Sequence, residues 1–281
     1  MKRRQFLRAS AAATATVGIT GGLYAWRVAP YRLEFVYLDM PVRNLPRALH
    51  GKTLLQISDI HVGDRFDYGY LIDSFVRAQA LDPDYVVYTG DYVSYEDERQ
   101  HDQLDEVLRH TVRGKRGTLA VLGNHDYGKN WAEPAVADRI TAQLEEAGIR
   151  VLRNETARAG DLTFLGVDDY YGTNFAPRRA TEGIDPGAPA VALCHNPDVC
   201  DLDVWNGYRG WILAGHTQGG QVRVPGFGPP VLPVKNKRYS AGAFDLYDGR
   251  TLYVNRALGH LWPVRFAVRP EITVFRLRRT A

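Results

Sequence analysis

The stretch Thr53–His61, TLLQISDIH, decides the fold of this chain. A short apolar run, Thr53–Ser58, ends in an acid and an imidazole at Asp59 and His61. The same arrangement returns four times. Tyr85–Thr89 leads into Gly90-Asp91, and Thr118–Leu122 into Gly123-Asn124-His125-Asp126. Ala190–Cys194 leads into His195, and Trp211–Ala214 into Gly215-His216. With Leu162–Val167, these runs are aliphatic or β-branched and lack polar alternation, as expected of strands buried on both faces. Helical spacing fills the gaps. Leu71, Ile72, Phe75 and Val76 form one apolar face. Leu104, Val107, Leu108, Thr111 and Val112 form a second that stops at Gly114, and Val136, Ile140 and Leu144 a third that stops at Gly148. Alternating strands and helices predict βαβ units and a largely parallel sheet. After His216 the texture changes to Gly/Pro-rich loops with alternating strands near Tyr253 and Ile272–Leu277, which predicts a second, partly antiparallel sheet. Residues 30–50 hold three prolines and no clear period, and read as a linker wrapping into a domain over 51–281.

At 281 residues, with 45% hydrophobic and 24% charged side chains, the chain has the composition of a globular protein with a well-buried core. Its formal charge of +3 is misleading. Residues 1–29 carry five basic side chains and no acid, so the remainder holds 30 basic against 32 acidic residues. A near-neutral body without a basic run gives no electrostatic case for nucleic-acid binding. The leader reads Lys2-Arg3-Arg4-Gln5-Phe6-Leu7-Arg8, then a mildly apolar stretch to Ala25. It resembles a twin-arginine export signal, so residues 1–29 read as a signal or anchor. That implies the export machinery as a partner and a place in the periplasm or cell envelope. Membrane association is expected through residues 9–25, although the hydroxyls and glycines there make a poor membrane span. Two cysteines, Cys194 and Cys200, make no disulfide framework, and Cys194 reads as a buried thiol.

The polar clusters all fall at the carboxyl ends of strands, where open α/β sheets bind ligands. In an extended segment Asp59 and His61 would point to one side, as half of a metal site. Alone, Asp59 reads equally well as a helix cap. The carboxylate of Asp91 has two oxygens and can bridge two ions. Gly-Asn-His-Asp alone is a turn, and a single strand-end histidine is usually structural.

As an ordered set, D-x-H, G-D, G-N-H-D, H and G-H resemble the calcineurin-like metallophosphoesterase superfamily. The wording His195-Asn196-Pro197-Asp198, with Gly215-His216-Thr217-Gln218-Gly219-Gly220-Gln221, narrows the resemblance to YkuE/YaeI-type phosphodiesterases over Lys52–Leu277. The resemblance implies a sandwich of two mixed β-sheets flanked by helices, and two divalent metal ions (Mn, Zn or Fe). It implies Asp59 and His61 on one ion, Asn124, His195 and His216 on the other, and Asp91 bridging. His125 becomes the general acid, held by a hydrogen bond to Asp126. Gln218 departs from the family, which has a second histidine there as a further ligand. An amide oxygen is a harder donor than imidazole, so Gln218 either ligates and favours an ion such as Mn, or leaves that ion weakly held. The implied activity is hydrolysis of phosphate esters, phosphodiesters in particular, by a metal-activated hydroxide outside the cytoplasm. Two rivals stand beside it: a pyrophosphate hydrolase of a nucleotide-linked lipid precursor, and a non-catalytic binding protein on the same fold. Arg256, near a glycine loop, is either a substrate-phosphate contact or part of a structural salt bridge. Asp168 and Asp169 lie within reach of the cleft but are not expected as ligands. His50, His101, His110 and His260 match no motif, and His101 and His110 read as solvated.

Overall fold

The computed structural model describes residues 3–64, 67–95 and 97–280; Lys2 of the leader and the side chains of residues 6–9, 11–13 and 17 lie outside what is described. Two mixed six-stranded sheets pack face to face between outer layers of helix and loop. The first has the order β1 (Glu34–Val42), β12 (Glu271–Arg279), β2 (Thr53–Ile57), β3 (Tyr85–Thr89), β4 (Gly117–Val121), β5 (Arg150–Val151). The second runs β10 (Gly242–Asp245), β11 (Thr251–Val254), β9 (Trp211–Ala214), β8 (Ala190–Leu193), β7 (Leu162–Gly166), β6 (Glu155–Ala159). Strands β2 to β5 are parallel, as are β7, β8, β9 and β11; antiparallel pairs occur at β12–β2, β10–β11 and β6–β7.

Burial explains why the central strands lack alternation. Leu54, Val87, Leu119, Phe164, Leu193 and Leu213 face the interior between the sheets. Their neighbours Leu55, Val86 and Ala120 face α2 (Tyr68–Gln79), α3 (Arg99–Leu108) and α4 (Pro134–Glu146). On the far side of the second sheet, Leu165, Ala192 and Ile212 pack under Cys200, Trp205 and Tyr208. Cys194 and Cys200 are both free thiols in that layer.

Three expectations change. Residues 30–50 are not a linker over their whole length, because Glu34–Val42 is an edge strand parallel to β12. Its outer positions stay exposed, so its hydrophobic signal is thin. Ile272–Leu277 is strand, but β12 lies in the first sheet between β1 and β2. His101 is buried, with Nδ1 2.8 Å from Gln143 Oε1, whereas His110 is exposed.

The leader forms α1 (Arg3–Arg27), and among the described residues no helix is long and apolar enough to cross a membrane. Its last turn meets the body where Arg265 N donates to the Ala25 carbonyl.

Candidate metal centre

Five strands, β2, β3, β4, β8 and β9, end at one edge, and backbone bonds extend their register into the loops. Asp59 N donates to Gly90 O, His61 N to Asp91 O, and Gly215 N to His195 O, each at about 3 Å. Below them the Gln56 amide donates to Thr89 Oγ1 and to Ala214 O, tying the two sheets together. The loops are tight. A side chain at Gly215 would collide with Ser58 and Asp59, and one at Gly123 with Asp91.

Asp59 and His61 do converge, but not through extended backbone. Both adopt left-handed conformations, with φ of 49° and 46°, as do Asp91, His216 and Gln218 at 57°, 68° and 51°. Such conformations cost a non-glycine residue on the order of 1–3 kcal/mol each and concentrate at functional sites.

The side chains form two groups around one atom. Asp91 Oδ2 lies 3.5 Å from His61 Nε2 and 3.1 Å from His195 Nε2. Asp91 Oδ1 is turned away to accept the His125 backbone N–H. Asp59, His61 and Asp91 make one group able to hold a cation, and Asp91, His195 and His216 the other. Asp59 Oδ2 is anchored by the Ser58 hydroxyl and the His216 N–H, while Oδ1 faces His61 Nε2 at 3.8 Å. His195 Nδ1 donates to Thr89 O and His216 Nε2 to Pro233 O, which leaves His195 Nε2 and His216 Nδ1 3.2 Å apart.

Buried polar atoms without partners test whether ions fit. Asp59 Oδ1 and Asn124 Oδ1 are buried with no hydrogen bond, a costly state unless a cation completes it. The Gln218 amide lies 2.6 Å from His61 Nε2, and exchanging its oxygen and nitrogen brings the oxygen to the same point. Residue 218 thus faces the centre. Electrostatics agree. Burial holds His61 and His216 at pKa values of about 3, so both are neutral and offer lone pairs. Burial raises Asp59 to about 6, helped by the Asp91 charge. Burial would also raise Asp91, but His195, His125 and His61 hold it well below the usual carboxylate range. Against burial, the Asp91, Asp59 and Asp169 carboxylates push His195 well above its ordinary value. They draw a proton to the point where a cation would sit.

One role is corrected. Asp126 does not hold His125. Its carboxylate accepts N–H bonds from Asp91, Tyr92 and Gly123, so it braces the loops that carry Asp91 and Asn124. The His125 ring instead has Nδ1 3.1 Å from the Ser94 carbonyl and packs edge-on against His61. Of the two readings of Arg256, the structure shows the salt bridge. The guanidinium pairs with Glu271 and with Glu34 at 2.9 Å. Asp168 is likewise committed, to Arg153 and Asn174. Asp169 accepts from Tyr171 N and Gly172 N, and burial raises its carboxyl to about 7.

Sequence reasoning missed Ser58, which orients Asp59, and the carbonyls of Thr89, Ser94 and Pro233, which orient three histidines. A carbonyl leaves no trace in residue type. It also missed the walls of the cavity above the centre, about 410 Å³, where Trp131, Tyr171, Pro233 and Leu261 join Asp91, Asn124, His125, His216 and Gln218.

Residues 52–217 match the model of the calcineurin-like phosphoesterase family. The chain is 32% identical to the uncharacterized metallophosphoesterase YkuE of Bacillus subtilis, covering 100% of this chain and 99% of that one. It is 30% identical to the phosphodiesterase YaeI of Escherichia coli, covering 99% of both. It is 28% identical to the UDP-2,3-diacylglucosamine pyrophosphatase LpxG of Chlamydia trachomatis serovar D, covering 93% of this chain and 98% of that one. With strand-end acids and imidazoles converging on one carboxylate oxygen, and this match across more than half its length, the chain belongs to the calcineurin-like phosphoesterase family and is a metallophosphoesterase.

Proposed function

We propose that this enzyme hydrolyses phosphodiesters outside the cytoplasm, at a centre of two divalent ions. The observation that carries the reading is the position of Asp91 Oδ2 between two groups of ligand-capable side chains. Asp59, His61, Gln218 and Asp91 would hold one ion, and Asp91, Asn124, His195 and His216 the other. Oxygen and imidazole donors without thiolate suit Mn, Zn or Fe, and the amide of Gln218 tilts the first position toward Mn. Bound there, the ions supply Lewis acidity and lower the pKa of an attacking water. The chain supplies the rest. His125 lines the same cavity, half-buried, and donates its Nδ1–H to Ser94 O, which fixes the ring and leaves Nε2 to give a proton to the departing oxygen. Trp131, Tyr171 and Leu261 offer an apolar wall for the second ester group of a diester. The YaeI relative, named a phosphodiesterase, supports the diester, and the leader supports export.

Purified protein supplied separately with Mn, Zn and Fe should cleave bis-nitrophenyl phosphate at least about tenfold more efficiently than nitrophenyl phosphate, a difference of about 1.4 kcal/mol in the barrier. Preference for the monoester, or turnover undiminished by chelator, would refute the proposal. Preference for a nucleotide diphosphate ester would move the reading to pyrophosphate hydrolysis. Export is checked by replacing Arg3 and Arg4 with Lys together, which should keep the protein out of the envelope fraction.

A further inference from the structure

The near-neutral body conceals a segregated one. Residues 1–33, 204–244 and 249–270 together hold fifteen basic side chains and no acid, while the rest of the chain holds twenty basic and thirty-two acidic. These three segments meet in space. Arg265 N donates to Ala25 O at the end of α1, Arg223 N to Phe266 O, and Phe266 N to Gln221 O. Gln221 Nε2 also donates to Trp262 O. Around this junction large apolar side chains stand in solvent: Phe227 is 91% exposed, Val231 74% and Trp262 63%. On α1, Ile19 and Leu23 are 64% and 52% exposed. Large apolar side chains exposed together on segments that meet mark an interaction surface.

The patch also has a fixed relation to the metal centre. The excursion bearing Phe227 and Val231 leaves the cavity wall at Gln218 and returns to it at Pro233, and Trp262 follows the wall residue Leu261. A Cβ added at Gly220 would strike Pro229, so the excursion is folded down onto its own base. The rim of the cavity is thus apolar at its tips and basic at its flanks, with Arg27, Arg32 and Lys237 exposed and Arg223 half-buried.

We propose that this rim docks on an anionic lipid bilayer, with Phe227, Val231 and Trp262 entering the interface and the basic flanks resting on the headgroups. Charge complementarity selects this occupant. A second copy docked through the same face would set one basic rim against another, whereas an anionic leaflet attracts basic side chains and accepts apolar ones beneath them. Docking places the mouth of the cavity at the membrane surface. It extends the membrane association expected of residues 9–25 to the catalytic body, and it stands or falls independently of the phosphodiesterase reading.

The test is co-sedimentation of the full-length protein with vesicles of phosphatidylcholine alone and of phosphatidylcholine mixed with phosphatidylglycerol. Binding to the mixed vesicles should be about tenfold tighter, about 1.4 kcal/mol, and should weaken with added salt. The pair Phe227→Asp and Trp262→Asp should weaken it by at least about tenfold, with thermal melting and hydrolysis of a soluble nitrophenyl diester unchanged. Phe227→Ser with Trp262→Ser should give a smaller loss in the same direction, free of the added negative charge. Equal binding to both vesicle types would overturn the proposal, and so would undiminished binding by both loop variants, which would assign the membrane contact to α1 alone. A dimer that these variants convert to monomer, with no vesicle binding by the parent chain, would overturn it in favour of self-association.

Discussion

A histidine proposed to give up a proton needs a fixed partner on its far nitrogen, and at His125 that partner is the Ser94 carbonyl. Sequence adjacency pointed to Asp126 instead, because a carboxylate beside a histidine is the usual orienting pair; nothing in the residue types reveals that Asp126 faces back into the loops. Asp59, His61, Asp91, Asn124, His195 and His216 were legible because each is a ligand-type side chain at a strand end, and strand ends are visible as the termini of apolar runs. Two predictions belong here. His125→Ala should keep its metal content and lose roughly 10²–10⁴ in turnover on diesters with poor leaving groups, and much less on nitrophenyl esters. Equal losses on both would remove the proton-donor role. Gln218→His should bring an imidazole to the position now occupied by the amide, 2.6 Å from His61 Nε2. Zn affinity at that position should rise about tenfold or more, about 1.4 kcal/mol, because imidazole suits Zn better than an amide oxygen does. Unchanged affinity and metal preference on titration would mean that residue 218 does not ligate.

Between residues and fold stand the elements that hold the loops. The central strands were legible because they are buried on both faces, and β1 was not, because an edge strand with Pro41 and an exposed outer row has little periodicity to read. Its parallel pairing with β12 brings Glu34 opposite Glu271. Arg256 joins the two carboxylates, and Glu271, 2% exposed, also accepts from Tyr253 and Thr273. Arg256→Met should therefore leave a buried acid without its cation and cost roughly 3 kcal/mol of stability in denaturant unfolding. KM for a diester should not move. A raised KM with unchanged stability would restore Arg256 to the substrate. Asp126 acts at the same scale. Asp126→Asn keeps the shape but puts an amide N–H₂ against N–H donors, so the loops after β3 and β4 should loosen together. Loss of bound metal should then accompany loss of turnover for every leaving group, unlike His125→Ala.

At the scale of the molecule, the metal centre is the clasp between two sheets. Asp59, Asp91 and Asn124 follow strands of the first, and His195 and His216 follow strands of the second. Ions bound there cross-link the sandwich, so metal binding should raise the melting temperature by mass action on the folded state. Protons compete for the same atoms, and the groups differ in what they surrender. His61 and His216, with pKa values of about 3, are already neutral above pH 5 and release nothing. His195 is held well above its ordinary value by the surrounding carboxylates, so the metal-free protein keeps that proton at neutral pH and must lose it on loading. Asp59, raised to about 6, adds a second proton only below that pH. The sign follows: the metal-free state binds more protons than the loaded state, so stabilisation by metal grows as pH rises. The expected slope is about 1.4 kcal/mol per pH unit for each proton released. It should be near two protons at pH 5 and near one at pH 7. Differential scanning calorimetry with and without Mn across pH 5–7.5, together with titration in buffers of different ionisation enthalpy, measures both quantities. Stabilisation independent of pH, or proton uptake on metal binding, would show that His195 and Asp59 do not exchange their protons for the ions.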